Sequence, residues 1–191
     1  MRVILGLGNP GSRYAMTRHN AGFLLCDYMA GRHKLEFRAG KGDYYFAGGT
    51  LDVEPFLLVK PVTYMNLSGI AARQITEQFG CSAEDMLVVH DDYNFEPGNM
   101  RLRRSGGDGG HNGITSLIEQ LGTRDFPRMR IGVGNSFERG QMADYVLSEF
   151  TQVELQQLHE LFVLTDPLLD SFITGGVTAL FDSYSRFQRN S

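Results

Sequence analysis

The hydrophobic positions of the chain fall into short continuous runs separated by stretches with helical spacing. In Met100–Arg103 the residues alternate, which predicts a strand with both arginines on one face and both apolar side chains on the other. The continuous runs predict buried strands: these are Val3–Leu7, Tyr44–Gly48, Phe56–Lys60, Met86–His90 and Met129–Val133.

The intervening stretches predict amphipathic helices. After Asn20, apolar side chains recur at three- and four-residue spacing, and Gly31 is predicted to end this helix. The other stripes are Ala71, Ile75 and Phe79 closed by Gly80, then Ile114, Leu117, Ile118 and Leu121 closed by Gly122, then Leu155, Leu158 and Phe162 after the capping box Thr151-x-x-Glu154, and lastly Val177–Phe187. Strands alternating with helices predict an α/β fold: a single domain over residues 1–191, with a mixed, mostly parallel central sheet flanked by helices.

Composition narrows the class of protein. The 191 residues are 42% hydrophobic and 21% charged, with a net charge of −4. This balance argues against a generally basic nucleic-acid binder and allows a local basic face. Cys26 and Cys81 are isolated, so neither a disulfide framework nor a zinc site is predicted. No apolar stretch is long enough for a membrane span, and a cytoplasmic protein is expected.

The first strand is followed by Gly6-x-Gly8-x-x-Gly11, the spacing of a dinucleotide-binding fingerprint. That fingerprint needs an acidic residue at the end of the second strand. Asp27 has roughly the required spacing but lies inside the predicted first helix, and Pro10 stiffens a turn that should open directly into a helix. No nucleotide cofactor is therefore predicted.

Two polar segments suggest acid–base chemistry. His19 precedes Asn20, which we expect to cap the first helix, and a helix N-terminus disfavours an imidazolium, so His19 is predicted to be a neutral base. Asp91 ends a buried strand, where it could orient a catalytic histidine. A metal site built from His90, Asp91 and Asp92 is disfavoured because adjacent residues of a strand point to opposite faces.

The glycine-rich segment Gly106–Gly113 also precedes a helix. Asn112 is expected to cap that helix, whose free N–H groups could receive an anion or an oxyanion. Asn66 either caps another helix or donates its amide to a substrate carbonyl, and Asn9 fits a turn residue. The basic residues predict local phosphate contacts: these are Arg101, Arg103, Arg104, Arg128 and Arg130, which Lys41 and Lys60 could join.

The motifs GLGNPG, TRHNAG, KPVTYMNLSG, VVHDD, GGHNG and RMRIGVG follow one another along nearly the whole chain. In this order they resemble the bacterial-type peptidyl-tRNA hydrolase family. The resemblance implies an enzyme that cleaves the ester between a peptide and the 3′ ribose of tRNA, which recycles tRNA from stalled translation. It also implies a monomer without metal or cofactor, whose partner is peptidyl-tRNA.

The resemblance also implies roles for individual residues. His19 matches the catalytic base and Asp91 its partner, and Asn9 belongs to the same catalytic group. The residues matched to substrate or tRNA binding are Asn66 and Asn112 for the peptide end and the water, His111 on the substrate side, Tyr14 and Tyr64 near the ribose and peptide, Arg101 and Arg103 for the terminal phosphate, and Arg130 for a further tRNA contact.

Asp108 departs from the family pattern, because it places an acid in the glycine loop where a small or neutral residue, or histidine, is usual. Two alternatives remain open at this point. One is a non-catalytic RNA-binding relative, such as an intron-splicing factor. The other is a general esterase or amidase that acts on small substrates.

Overall fold

A seven-stranded mixed sheet forms the centre of the chain in the computed structural model, which describes residues 1–190. Its spatial order is β2-β3-β4-β1-β5-β7-β6. The strands are β1 (Arg2–Gly6), β2 (Arg38–Ala39), β3 (Tyr44–Leu51), β4 (Glu54–Pro61), β5 (Met86–Asp92), β6 (Met100–Arg103) and β7 (Arg128–Gly132). The central strands β4, β1, β5 and β7 run parallel, and β2, β3 and β6 add antiparallel edges. The predicted mixed α/β sheet is confirmed.

The continuous apolar runs form strands because both faces of the sheet are covered. Ile4 points into one core cluster, whereas its neighbours Val3 and Leu5 point into the other. Every residue of β5 is buried, including the polar residues at its carboxyl end. This strand therefore places His90, Asp91 and Asp92 at the carboxyl end of β5, in the interior of the fold.

The helices cover both faces of the sheet, and all of them except α4 correspond to predicted stripes. They are α1 (Ala21–Arg32), α2 (Ser68–Phe79), α3 (Asn112–Leu121), α4 (Met142–Val146) and α5 (Gln152–Asn190). Gly80 and Gly122 end α2 and α3 in the left-handed conformation, with φ of 63° and 66°. Gly31 does not end α1, which continues through Arg32. Within residues 1–190, no helix is long and apolar enough to cross a membrane.

The C-terminal helical segment is interrupted at Gly176, which adopts φ 67° and ψ −157°. The chain turns there, so that Ser171 Oγ and Ser183 Oγ lie 2.9 Å apart. The separately predicted stripe Val177–Phe187 is therefore the second arm of α5. At the N-terminus of α5, the predicted capping box is confirmed: the N–H of Glu154 donates to Thr151 Oγ1, and the N–H of Thr151 donates to a Glu154 carboxylate oxygen.

Candidate active site

A cavity of about 770 Å³ opens where the parallel strands end. It is lined by residues that follow β1 and β4 and by the carboxyl end of β5. Arg103 of β6 and Arg128 and Arg130 of β7 also line it. Of the residues proposed from the sequence, Asn9, His19, Tyr64, Asn66, Asp91, Arg103, His111, Asn112 and Arg130 line this cavity. Tyr14 and Arg101 do not line it. Tyr14 instead receives a hydrogen bond from Arg13.

The centre of the cavity holds two histidines on one carboxylate oxygen. His19 Nδ1 lies 2.8 Å and His111 Nε2 lies 2.9 Å from Asp91 Oδ1. Burial opposes ionisation of Asp91, but the two histidines lower the pKa of this carboxyl below its ordinary value. His19 Nδ1 therefore carries the proton given to Asp91. No hydrogen bond within residues 1–190 uses the other ring nitrogen, Nε2, which carries the lone pair when the imidazole is neutral.

The environment of His19 differs from the sequence expectation. Burial lowers the pKa of its imidazole, but the charge of Asp91 and its hydrogen bond outweigh burial and raise the pKa above 6.5. The predicted depression by a helix N-terminus is therefore wrong. His19 lies in a short 3₁₀ turn before α1, and its decisive neighbour comes from β5.

Asn9 is held in a fixed orientation by its neighbours. Its backbone N–H donates to Asn20 Oδ1 at 2.8 Å, and Asn20 Nδ2 donates to its carbonyl at 3.0 Å. The Oδ1 atom of Asn9 accepts a hydrogen bond from the N–H of Met65 at 2.8 Å. The amide NH₂ of Asn9 has no hydrogen-bond acceptor among residues 1–190. It is therefore available as a donor toward the cavity.

Two of the predicted helix caps differ from the structure. Asn20 occupies the N-cap position of α1 as predicted, but its side chain forms no cap hydrogen bond, because both of its polar atoms pair with the backbone of Asn9. The cap of α3 is His111 rather than Asn112, and its Nδ1 accepts from the N–H groups of Gly113 and Ile114. Those two N–H groups are therefore occupied and do not receive an anion, contrary to the sequence expectation.

Several polar side chains at the mouth of the cavity are exposed to solvent. Asn66 and Asn112 are both exposed, and Tyr64 has 61% of its surface accessible. Asn66 does not cap α2, whose N-cap residue is Leu67. Both asparagine amides are therefore free to meet a ligand in the cavity.

The arginines of β6 and β7 share one face of the sheet. Arg101 lies opposite Arg130, and Arg103 lies opposite Arg128. Arg130 forms an ion pair with Asp92, with N–O distances of 2.5 and 2.6 Å. Arg128 is buried and donates to the carbonyls of Gly106 and Gly107, each at 2.6 Å.

Burial, together with nearby Arg130, lowers the pKa of Arg128 to about 10. Arg101 and Arg103 form no hydrogen bond or ion pair within the described chain, although Arg101 lies over the Phe95 ring. Among the described residues, two of the four arginines thus have hydrogen-bond or ion-pair partners and two have none. Lys60 does not join this face, because it pairs with Asp27 elsewhere on the protein.

Sequence patterns missed two parts of the site. The short helix α4 contributes Met142, Val146 and the following Leu147 to the cavity wall. Buried Arg18 links this region to His19, since its guanidinium donates to both carboxylate oxygens of Glu154 at 2.7 and 2.8 Å. These two bonds come from Nη2, while Nη1 donates to the Ser148 hydroxyl and to the carbonyl of Glu149. The TRH sequence gave only a basic residue beside a histidine and did not indicate this buried contact.

His90 is also part of the wall. Its Nδ1 lies 2.7 Å from the Asp91 carbonyl, which requires a proton on Nδ1, and its ring meets His111 edge-on at 4.7 Å. Burial lowers the pKa of His90 to about 3, so this ring is neutral. His90 Nε2 is buried without a hydrogen-bond partner in the described part of the chain.

The ligand atoms of His19, Asp91 and His111 lie within 4.8 Å of one another, which is compatible with a metal site. However, His19 Nδ1 and His111 Nε2 point protons at Asp91, whereas a metal needs their lone pairs. These residues therefore fit a hydrogen-bonded acid–base group better than a cation site. The set also differs from the His90, Asp91 and Asp92 group considered from the sequence.

Comparison with known proteins gives a consistent result. A family model described as peptidyl-tRNA hydrolase matches residues 3–191. The peptidyl-tRNA hydrolase of Syntrophomonas wolfei is 40% identical over 185 residues, covering 97% of this chain and 100% of that protein. The corresponding protein of Bacillus subtilis is 44% identical over 160 residues, covering 84% and 85%. A crystal structure of peptidyl-tRNA hydrolase from Acinetobacter baumannii has a TM-score of 0.83 at 28% identity, covering 98% of this chain and 92% of that one.

Proposed function

The chain belongs to the peptidyl-tRNA hydrolase family, and we propose that it hydrolyses the ester between the peptide and the 3′ ribose of peptidyl-tRNA, which frees tRNA from stalled translation. The observation that carries this proposal is the geometry of His19. Its Nδ1 is held by Asp91, and its Nε2 remains free in a cavity beside the Asn9 amide. Ester hydrolysis needs a base and an oxyanion donor in this arrangement.

The proposed reaction begins when His19 Nε2 takes a proton from a water molecule. The water oxygen attacks the ester carbonyl carbon, and the negative charge that forms on the carbonyl oxygen is stabilised by the NH₂ of Asn9. The bond between the carbonyl carbon and the ribose oxygen then breaks, and His19 returns the proton to that oxygen. Asp91 orients His19 throughout and stabilises its imidazolium.

Asn66 and Asn112 are proposed to select the peptidyl substrate. Their exposed amides face the same cavity and could bind the N-blocked peptide through its amide groups. An aminoacyl ester instead carries a free α-ammonium, which would lose these hydrogen bonds and bring a charge that must be desolvated. Tyr14 and Tyr64 are proposed contacts near the ribose and peptide. Tyr64 lines the cavity and Tyr14 does not.

The first test is hydrolysis of an N-acetylaminoacyl-tRNA by the His19→Ala variant. Loss of the base is expected to reduce turnover by about 10²–10⁴-fold, while the melting temperature stays close to that of the wild type. His159→Ala is the matched control, because His159 is exposed on α5 outside the cavity. Normal hydrolysis by His19→Ala would refute the assignment. Absence of turnover by the wild type would favour the non-catalytic RNA-binding alternative.

Arg101 and Arg103 are proposed to bind a phosphate near the tRNA acceptor end, with Arg130 as a further contact. Support comes from their shared exposed face and from the absence of ion-pair partners within residues 1–190. Phosphate contacts position the nucleic acid and carry little base information. Arg130 is already neutralised by Asp92, and a smaller contribution is therefore expected from it.

The double change Arg101→Ala and Arg103→Ala is expected to raise KM more than it lowers kcat. The salt dependence of tRNA binding should flatten by about one to two units of slope. Arg38→Ala with Arg73→Ala removes the same charge from exposed positions outside the cavity and serves as control. A short fragment that lacks the acceptor phosphates should not sense the double change. If it is hydrolysed as poorly as full tRNA, the phosphate assignment fails.

The proposal includes a monomer in the cytoplasm. Cys26 and Cys81 are buried free thiols, which accords with a reducing compartment. A general esterase is the less favoured function, because the arginine face has no role on a small substrate. Competition by deacylated tRNA that weakens as salt rises distinguishes the two functions.

A further inference from the structure

Both ring nitrogens of His111 are engaged by the protein itself. Nδ1 accepts hydrogen bonds from the backbone N–H groups of Gly113 at 3.1 Å and Ile114 at 3.4 Å, and so caps α3. Nε2 lies 2.9 Å from Asp91 Oδ1. A neutral imidazole has one proton, and an accepting Nδ1 places that proton on Nε2. His111 is therefore fixed as the tautomer that donates to Asp91.

The surroundings hold the ring in this position. Neutral His90 meets it edge-on at 4.7 Å. At Gly113, a Cβ atom would lie 3.1 Å from His111 Cε1 and 2.6 Å from Met65 Sδ, so a larger residue would push against the ring. The side chain of His111 is only 10% exposed. A second proton on Nδ1 would also point at two N–H groups and break the cap.

We propose that His111 is a positioning residue that acts on Asp91, and that it does not contact the substrate or transfer a proton. The N–H groups at the start of α3 fix the tautomer of His111 with its proton on Nε2. His111 Nε2 then donates the second hydrogen bond to Asp91 Oδ1, the oxygen that also binds His19 Nδ1. This role differs from the substrate-side role that the resemblance implies. The inference rests on the proposed function, since it takes His19 as the base.

The first measurement is the tautomer of His111 in the wild-type protein, read from ¹⁵N chemical shifts and long-range ¹H–¹⁵N correlations of the imidazoles. A protonated Nε2 with an unprotonated Nδ1 is expected. It should persist when a saturating non-hydrolysable peptidyl-tRNA analogue is added. A protonated Nδ1 in either state would overturn the proposal. This readout does not depend on turnover or on the stability of a variant.

The second measurement is the kinetics of His111→Asn. Asparagine is a good N-cap, so α3 and the melting temperature should be preserved, but its short side chain does not reach Asp91. We expect kcat to fall by about 10- to 100-fold, as for loss of a hydrogen bond to a charged group, with KM almost unchanged. His159→Asn is the matched control at an exposed histidine. A raised KM with unchanged kcat would identify a substrate contact and refute the proposal.

The third measurement combines His111→Asn with His19→Ala. If His111 acts through Asp91 and His19, the double variant should be as slow as His19→Ala alone, because the residues act as one unit. A further 10-fold loss in the double variant would mean that His111 acts independently, which refutes this inference and leaves the function intact. Normal turnover by His19→Ala would instead refute the proposed function, so the two failures are distinguishable.

Discussion

The substitution Asn20→Asp tests whether Asn20 acts as a helix cap or as a hydrogen-bond partner of the Asn9 backbone. If Asn20 served only as a cap, aspartate would replace it without loss, because aspartate caps equally well and favours the positive helix end. In the structure, however, the Asn20 amide pairs with the backbone of Asn9 and needs both a donor and an acceptor. Aspartate can accept from the N–H of Asn9 but cannot donate to its carbonyl.

The magnitude follows from the burial of this pair. Asn20 is 1% exposed, and the new carboxylate oxygen would take the place of a donor 3.0 Å from the Asn9 carbonyl oxygen. An unpaired buried polar group costs about 1–3 kcal/mol, and burial of the charge adds to that. We therefore expect a loss of about 2–4 kcal/mol in the free energy of unfolding. For a chain of this size this lowers Tm by roughly 4–16 °C.

Activity should fall as well, because Asn20 holds the residue whose NH₂ faces the cavity. Complete loss of an oxyanion donor costs about 10²–10³-fold in kcat, and a displaced donor should cost about 10- to 100-fold. Urea unfolding followed by circular dichroism and N-acetylaminoacyl-tRNA hydrolysis measure the two effects. Asn135→Asp is the control, at an exposed asparagine outside the cavity. Wild-type Tm and kcat in Asn20→Asp would show that capping alone explains this residue.

Two further predictions test the electrostatics and the packing. Because Asp91 raises the pKa of His19 above 6.5, kcat/KM should fall as pH decreases through that raised pKa. In Asp91→Asn, burial alone remains, so the acid limb should move to lower pH while the plateau falls; an unmoved limb contradicts this. Gly69→Ala should lower Tm by roughly 5–10 °C, because a Cβ at this position would lie 2.1 Å from the Ser116 carbonyl oxygen. Gly31→Ala is the control, because a Cβ there meets no atom within 4 Å and should leave Tm unchanged.

The sheet and most helices could be predicted because their signals are local. An apolar run such as Met86–His90 is stable only when both faces are buried, and β5 is buried throughout. Gly80 and Gly122 mark helix ends because left-handed backbone conformations favour glycine. The short elements β2 and α4 contain too few residues to show a period, and they form through contacts with the rest of the fold.

The side-chain caps expected from Asn20 and Asn112 do not form, because a polar residue at a helix start has the same local pattern whatever its partner. The Asn20 side chain hydrogen-bonds to the backbone of Asn9, eleven residues away. The N-cap of α3 is His111, whose ring accepts the hydrogen bonds expected for Asn112. Only the packed fold decides between these partners. The motifs around Asn20 and Asn112 identified segments that form the site. Which hydrogen bonds their side chains make depends on residues that are distant in the sequence and that the fold brings together.

The pKa of His19 shows why a local electrostatic argument gave the wrong sign. From the sequence, the visible influence is the N-terminus of the helix that follows, an effect of about 0.3–1 kcal/mol at an exposed site. In the fold, the buried carboxylate of Asp91 lies 2.8 Å away, and a contact between opposite charges out of water is several times stronger. Asp91 can exert this effect only while it remains ionised, which burial alone would oppose. The hydrogen bond from His111 helps to keep it ionised, so the strength of the base depends on a residue that caps a different helix.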